Sequence, residues 1–484
     1  MVLYITLQEK VGGMASQKVT GLTELQNRFC LINLSAEIRI ADKNQIHKAL
    51  TDDTLIEVSL YKKQEGNLLL RRYLEALSIA SDAKKDIDNF LINPKTHVYD
   101  QVAFSPLTSP STTLNYWTGS TITPTEGDWN ELGKFLLNVI CNEDQDVFKY
   151  LMYYLAHMLK KPEEKSGIMI VLLGGQGTGK GTFFTLLKAI WAKTCLQIND
   201  VDQVLGTFNA ALERNYIVCM DEALFSGDKK SLEKLKSLIT EPQCRIEQKY
   251  QPSRTIDSYH RFFAASNNDH FANIDKDDRR FLFLRVSDKY QSDLKYFENL
   301  YKLIADGTQV SALVYDLLAL DLSSFNVRQR PKTGEHLSQK LQSLDGLGRY
   351  WYEVLQSGVL TSGEIYNPKT KWEDSIFVST QSLIDQYKGF NKNADRYSPV
   401  QANTINTAIE KLCPSALKAR PSVYGTQTRG YQLPSIQTAR TEFEHYIGGK
   451  LNWDDESDDE GIKTVIENDL TNNSVNESEF LKSA

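Results

Sequence analysis

The run Gly174-Gly175-Gln176-Gly177-Thr178-Gly179-Lys180-Gly181-Thr182 follows an unbroken apolar string, Ile168 to Leu173. It precedes Phe184, Leu187, Ile190 and Trp191 at helical spacing. An apolar string without alternation reads as a strand buried on both faces, which belongs to a parallel sheet covered by helices. The glycines let the backbone curl so that its N–H groups converge at the start of the following helix, a ready site for an anion. Lys180 adds a positive charge for β- and γ-phosphates. Thr182 offers a hydroxyl to Mg2+, one residue later than in the usual spelling of such a loop. This feature predicts an α/β core that holds a phosphorylated ligand. A glycine-rich loop without a ligand is the competing reading.

Three downstream elements give the loop a chemical context. Ile217-Val218-Cys219-Met220 is an apolar string ending in Asp221-Glu222. Open α/β sheets place ligands at the C-terminal ends of their strands, so Asp221 would complete a Mg2+ shell and Glu222 would polarise a water attacking the γ-phosphate. The string Arg261 to Ala265 ends in Ser266-Asn267, whose amide could reach the same phosphate or water; an ordinary asparagine turn is the alternative. Asp277-Asp278-Arg279-Arg280 then precedes a fourth string, Phe281 to Val286. An arginine there either pairs with a neighbouring acid or projects toward the nucleotide of another subunit.

Composition sets the frame. With 484 residues, 41% hydrophobic and 24% charged, the chain is ordinary for a folded protein, and two to four domains are expected. Wholesale disorder, collagen-like repeats and a disulfide mini-scaffold are excluded. No apolar run reaches the roughly 20 residues that span a bilayer, so no membrane partner is expected. Met1 to Gly13 lacks the order of a secretory signal, and Met14 is a candidate natural start. The net charge of −7 is unevenly placed: from Asp454 onward ten acidic side chains face only Lys463 and Lys482, so the body is close to neutral. That segment reads as a disordered acidic tail. Six scattered cysteines without a C-x-x-C read as buried and reduced, and the seven histidines show no metal-ligand spacing.

These signals divide the chain into five parts. Residues 1–103 form an N-terminal region of unclear role, and 104–165 a helical lead-in with two amphipathic helices. Residues 166–330 hold the ATPase core, 331–449 a small helical C-terminal region, and 450–484 the acidic tail. In the C-terminal region two helical stretches precede Tyr424 to Tyr431, a glycine-containing hairpin flanked by Lys418, Arg420 and Arg440. That order resembles a winged-helix module, which often contacts duplex DNA; a plain helical cap is the alternative.

Taken in order, the glycine loop, hydrophobic-Asp221-Glu222, Ser266-Asn267 and Asp277-Asp278-Arg279-Arg280 resemble superfamily-three helicases of the AAA+ class. The likeness is to the helicase portion of primase-helicases encoded by phages, plasmids and other mobile elements. Phe104-Ser105-Pro106 with Asn115-Tyr116-Trp117-Thr118-Gly119 resembles that family's lead-in. Lys236 to Thr240 and Arg245 to Tyr250 resemble its segment between the second and third motifs. The likeness covers roughly residues 104–360, and residues 1–100 carry no primase or polymerase acidic motif. It implies a P-loop NTPase fold with a helical N-terminal region, assembled as a hexameric ring that binds ATP and Mg2+ at subunit interfaces. Single-stranded or forked DNA would be the partner, with other replication proteins, in a bacterial host cytoplasm.

By position, Lys180, Thr182, Asp221, Glu222 and Asn267 would act within one subunit. Arg279 or Arg280 would come from its neighbour, Arg280 being favoured. Lys249 would contact DNA phosphates from a channel hairpin, with Arg245 nearby and Tyr250 stacking; a solvated hairpin lysine is the alternative. Two other readings compete with a helicase or translocase. One is an AAA+ assembly switch or origin-binding initiator that does not unwind. The other is a nucleoside monophosphate kinase, whose loop shares the spelling but which the Asp221-Glu222 pair and the chain length disfavour.

Overall fold

In the computed structural model, two units account for the chain: Met1–Thr121 with Ala192–Thr194, and Ile122–Trp191 with Cys195–Ala484. The structure describes residues 20–34, 37–52, 58–79, 82–222, 229–249, 253–275, 278–360, 370–391, 400–423 and 426–453. Tyr250, Asp277, Tyr424-Gly425, Met14 and the acidic tail from Asp454 lie outside the described residues. The stretch 104–165 is divided between the two units.

In the first unit Thr20 caps α1 (Gly21–Arg28), its hydroxyl accepting from the Thr23 N–H. The chain passes directly into β1 (Phe29–Leu34), which pairs antiparallel with β2 (Glu37–Asp42). Asp42 in turn caps α2 (Lys43–Thr51) through the Asn44 N–H. After α3 (Lys63–Ala76) and α4 (Ala83–Ile92), β3 (Val98–Tyr99) joins the free edge of β1 in parallel. A short parallel pair, β4 (Gln101–Ala103) and β5 (Thr113–Asn115), completes it. Leu25, Leu70, Leu74, Ile87 and Phe90 pack on Phe29, Leu31 and Ile40. The N-terminal region, expected to be helical, is therefore mixed: its helices need the apolar face of a three-stranded sheet to bury their own.

The second unit opens with α5 (Asn130–Lys134), which widens into a π-helical turn over Phe135–Ile140, and α6 (Gln145–Lys160). The central strings then form one parallel sheet from β6 (Met169–Leu173), β7 (Cys195–Ile198), β8 (Ile217–Met220), β11 (Arg261–Ser266) and β12 (Phe281–Arg285), in spatial order β12-β6-β11-β8-β7. Between them run α7 (Lys180–Ile190), α8 (Asp202–Leu205), α9 (Lys229–Thr240) and the antiparallel hairpin β9 (Gln243–Ile246) with β10 (Arg254–Asp257). Alternate side chains serve the two faces. Met169, Val171, Val218, Phe262 and Phe283 pack toward Leu232, Leu235 and Ile239 of α9. Phe263 points the other way, to Phe183 of α7 and Tyr154 of α6. The expectation of a helix-covered parallel sheet matches this arrangement. The strand of this sheet missed from sequence is β7, a four-residue edge strand interrupted by the exposed Gln197 and too short to stand out.

Gly307, at φ 80°, divides the next helical stretch into α10 (Leu294–Asp306) and α11 (Thr308–Ala319). Beyond it, α12 (Gly334–Gln342) is stitched to the loop after β11: the Gln339 amide oxygen accepts from the Phe271 N–H at 2.9 Å, and Ser343 Oγ from the Ile274 N–H at 2.8 Å. The C-terminal part runs α13 (Gly346–Ser357), β13 (Val359–Leu360), β14 (Thr370–Lys371), β15 (Ile376–Ser379), α14 (Thr380–Phe390) and α15 (Ala402–Leu412). It ends with β16 (Leu417–Ala419), β17 (Ser422–Val423), β18 (Thr426–Gln427), β19 (Gly430–Leu433) and α16 (Ile436–Ile447). Strands β15, β19 and β16 form an antiparallel sheet in that order, and β17 with β18 a hairpin between its last two strands. Trp351, Trp372, Leu383, Ile405, Ile409, Tyr431 and Phe443 fill its core. Among the described residues no helix is long and apolar enough to cross a membrane. Five of the six cysteines are buried, and all six are free thiols.

Candidate functional site

The glycine loop leaves the C-terminal end of β6 at the crest of the sheet and turns into α7. Gly177 and Gly179 adopt φ of 76° and 104°, conformations that cost an L-residue roughly 1–2 kcal/mol. At Gly179 space is also limiting, since a Cβ would stand 2.8 Å from Phe297 Cε1 and 3.2 Å from Phe135 Cε2. Gly179 is the N-cap of α7 and has no side chain to cap it. The first N–H groups of the helix are thereby left to the loop, where the helix dipole favours negative charge.

Lys180 is only 7% exposed, and its ammonium donates to the carbonyls of Gly174 and Gly175, each at 2.6 Å. Burial pulls its pKa down, while the charges of Asp221 and Glu222 act on it in the opposite sense. The two carboxylates from the end of β8 thus bear on the lysine that opens α7. Thr182, 2% exposed, points its hydroxyl at the Tyr301 hydroxyl, 3.3 Å away.

The Asp221 N–H continues the ladder to β7 by donating to Ile198 O at 2.8 Å. Its carboxylate accepts from Gln197 Nε2 at 3.2 Å and from the Glu222 N–H at 3.1 Å. Glu222 itself is exposed and sits at φ 55°, a strained conformation for a residue with a Cβ. Strand β11 lies between β6 and β8, so Ser266-Asn267 stands between the glycine loop and the carboxylates. Ser266 O accepts from the Gly174 N–H at 3.2 Å, and Ser266 Oγ accepts from the Asn268 N–H at 3.1 Å. Asn267 is exposed at this junction.

Arg279 and Arg280 are not brought to this crest. They lie at the opposite end of β12, where Arg280 O accepts from the Met169 N–H at 2.8 Å, beside the start of β6. Arg280 is held by Asp278, through its N–H at 2.8 Å and its guanidinium at 3.2 Å, and that carboxylate is fully buried. Lys236 flanks the same group, 2.8 Å from Glu233 and 2.9 Å from Asp275. Arg279 is exposed, and no ion pair holds its side chain among the described residues. On the β9–β10 hairpin, Arg245 pairs with Glu247 at 3.1 Å, and both Arg245 and Lys249 are exposed. Arg440, taken from sequence as part of a basic flank, is buried instead: its Nε donates to Leu355 O and its guanidinium covers Trp453.

Two groups of residues around the loop escaped the sequence reading. Arg285, the one charged residue in the Phe281 to Val286 string, lies opposite Leu173. It makes a bidentate pair with Glu335 of α12 (2.8 Å each) and reaches Asp269 at 2.6 Å, ties that raise its pKa. A lone charge in an apolar strand was the available signal. Gln291 and Ser292 fasten the loop from the far side, donating to Gln176 O at 2.9 Å and Gly177 O at 3.2 Å. They sit in an undistinguished polar turn, with no pattern to mark them.

With this geometry in view, similarities to known proteins become interpretable. A family of unknown function, DUF5906, matches residues 172–280, which run from the end of β6 to the start of β12. The DNA primase-polymerase of Nitratiruptor phage NrS-1 is 26% identical over 200 residues, covering 40% of this chain and 28% of that protein. The chain therefore matches little more than a quarter of that relative. The apo structure of the NrS-1 C-terminal region superimposes with a TM-score of 0.59 at 16% identity, covering 85% of this chain and 97% of that one. A second apo form of the region gives 0.59 at 15% identity. The fold is thus shared with that region over most of both chains.

Proposed function

We propose that this chain is an ATP-hydrolysing motor of phage DNA replication, a helicase or translocase of the superfamily-three, AAA+ type. The observation that carries the reading is the convergence of Asp221 and Glu222 on Lys180, with Ser266-Asn267 interposed by strand order. Three separated sequence elements, the glycine loop, Asp221-Glu222 and Ser266-Asn267, meet at one crest of the sheet. The likeness to a phage primase-polymerase supports the replication setting.

The residues suit a nucleoside triphosphate with Mg2+. Gly179 leaves the N–H groups of α7 uncapped, and the Lys180 ammonium rests on loop carbonyls that phosphate oxygens would replace. Thr182 and Asp221 would hold Mg2+, which neutralises charge on the β- and γ-phosphates when bound. Glu222 orients and polarises the attacking water, and its strained backbone fits a residue placed for chemistry rather than stability. Asn267 positions that water or the terminal phosphate oxygen.

Arg279 and Arg280, at the far end of β12, suit a neighbour's nucleotide in a ring better than their own. Exposed and without an ion pair among the described residues, Arg279 is the better candidate; Arg280 is committed to Asp278. In the C-terminal part the order α13, β15, α14, α15, β16, hairpin, β19 is that of a winged helix, and exposed Arg420 and Arg429 flank the hairpin. This supports duplex contact there, while the exposed Arg245 and Lys249 suit phosphates of a single strand. The test is ATP hydrolysis with and without single-stranded DNA, and strand displacement on a forked duplex. Both should be lost in Lys180→Ala. Hydrolysis indifferent to DNA, with no displacement, would refute the motor in favour of an assembly switch.

A further inference from the structure

Beside the glycine loop lies an aromatic pair that the reading so far leaves without a task. Tyr290 and Tyr296 stack with ring centroids 4.0 Å apart and planes 9° from parallel, and both are half-buried. Their place in the chain ties them to the loop. Tyr290 immediately precedes Gln291 and Ser292, which bond to Gln176 O and Gly177 O. Tyr296 immediately precedes Phe297, whose ring closes on Gly179. Its ring meets Phe297 edge-on at 5.2 Å. The Asp293 side chain caps α10 through the Tyr296 N–H at 3.0 Å, which sets Tyr296 in the first turn of that helix. A polar rim surrounds the stack, with the pairs Lys134–Glu131 at 2.8 Å and Lys289–Glu143 at 3.1 Å. Both lysines are exposed and stand near Tyr290.

We propose that the Tyr290–Tyr296 stack is the nucleobase platform of this site, holding the base of a nucleoside triphosphate whose phosphates occupy the glycine loop. The proposal rests on the nucleotide reading above and adds how the remainder of the ligand is held. A flat, half-exposed aromatic surface flanking a phosphate cradle offers what a base needs and a bare phosphate chain does not use. Because every base has a π-face, a stacking platform tolerates different bases and favours the larger purines. A pair that only braced the turn holding the loop would instead weaken both kinds of ligand alike when lost.

The experiment compares two probes on the full chain by titration calorimetry. One is a non-hydrolysable ATP analogue, the other inorganic tripolyphosphate, which has the phosphates and no base. In Tyr290→Ala the analogue should bind about 5- to 150-fold more weakly, as expected for a lost base–aromatic stack, while tripolyphosphate affinity stays the same. Tyr290→Phe should bind both probes as the parent does, and the analogue of GTP should bind more tightly than that of CTP. Equal losses on both probes would show bracing alone and overturn the proposal. So would unchanged affinity for both, or a parent protein that binds the ATP analogue no better than tripolyphosphate. Failure of the parent to bind either probe would instead refute the phosphate-loop reading itself, and the platform with it.

Discussion

Gly179 and Gly181 stand two residues apart, yet the structure assigns them opposite responses to the same substitution. Gly179→Ala places a Cβ at φ 104°, costing roughly 1–2 kcal/mol for the left-handed conformation. That Cβ would also stand 2.8 Å from Phe297 Cε1, and overpacking of this kind adds about 1–3 kcal/mol as the ring gives way. The sum, about 2–5 kcal/mol, should lower the melting temperature of the second unit by about 3–7 °C, taking an unfolding entropy of about 2.1 cal/mol/K per residue. Gly181→Ala meets nothing within 4 Å and lies inside α7, where alanine is favoured over glycine by about 0.5–1 kcal/mol. It should melt at the parent temperature or slightly above. Differential scanning calorimetry of the full chain, with circular dichroism to confirm native helix content, measures both. Equal melting temperatures for the two variants would refute the argument, because the reasoning depends on backbone sign and local space rather than on membership of the loop.

Glu222→Gln should retain nucleotide binding and lose nearly all hydrolysis, whereas Glu222→Gly should lose hydrolysis and gain roughly 1 kcal/mol of stability by relieving the φ of 55°, as read by urea denaturation. Arg279→Ala, doped into parent protein, should suppress hydrolysis more than in proportion to its share if it serves a neighbour; a strictly proportional loss would point to independent subunits. Burial holds His157 and His260 down to about 4 and His336 to about 3, against 6.5 in an unfolded chain. The folded state then binds fewer protons than the unfolded one below pH 6.5. Stability is complete above that pH and falls as pH drops toward 4, by up to about 1.4 kcal/mol per pH unit for each histidine. Urea midpoints at pH 7, 6 and 5 should fall steadily, and His260→Asn should flatten the slope; an identical slope would exclude His260 as a contributor.

Much of the core was legible because its signals are local. Unalternated apolar strings such as Met169 to Leu173 can satisfy their backbone and bury both faces only in a covered sheet. The glycines of the loop are needed where they stand because the backbone there takes conformations other residues resist. The boundary between α10 and α11 and the mixed sheet of the first unit were less visible. Gly307 resembles any glycine until its φ is known, and short strands such as β3 acquire their identity from the edge they join.

What the sequence determined by itself was the inventory: a phosphate-type loop, a carboxylate pair, a polar strand end, an arginine pair, and the elements on which they ride. Only the tertiary structure decided their company. The order β12-β6-β11-β8-β7 places Ser266-Asn267 between Lys180 and Asp221-Glu222, and sends Arg279 and Arg280 to the other end of the sheet. The tertiary structure also sets Arg285 opposite Leu173 at the start of the loop, fastens Gln291 and Ser292 to the loop, and withdraws Arg440 into the interior. Spacing along a chain encodes which face of a strand or helix a residue occupies. Which strand becomes its neighbour is settled by long-range burial and hydrogen bonding among segments far apart in sequence, and no local pattern records that choice.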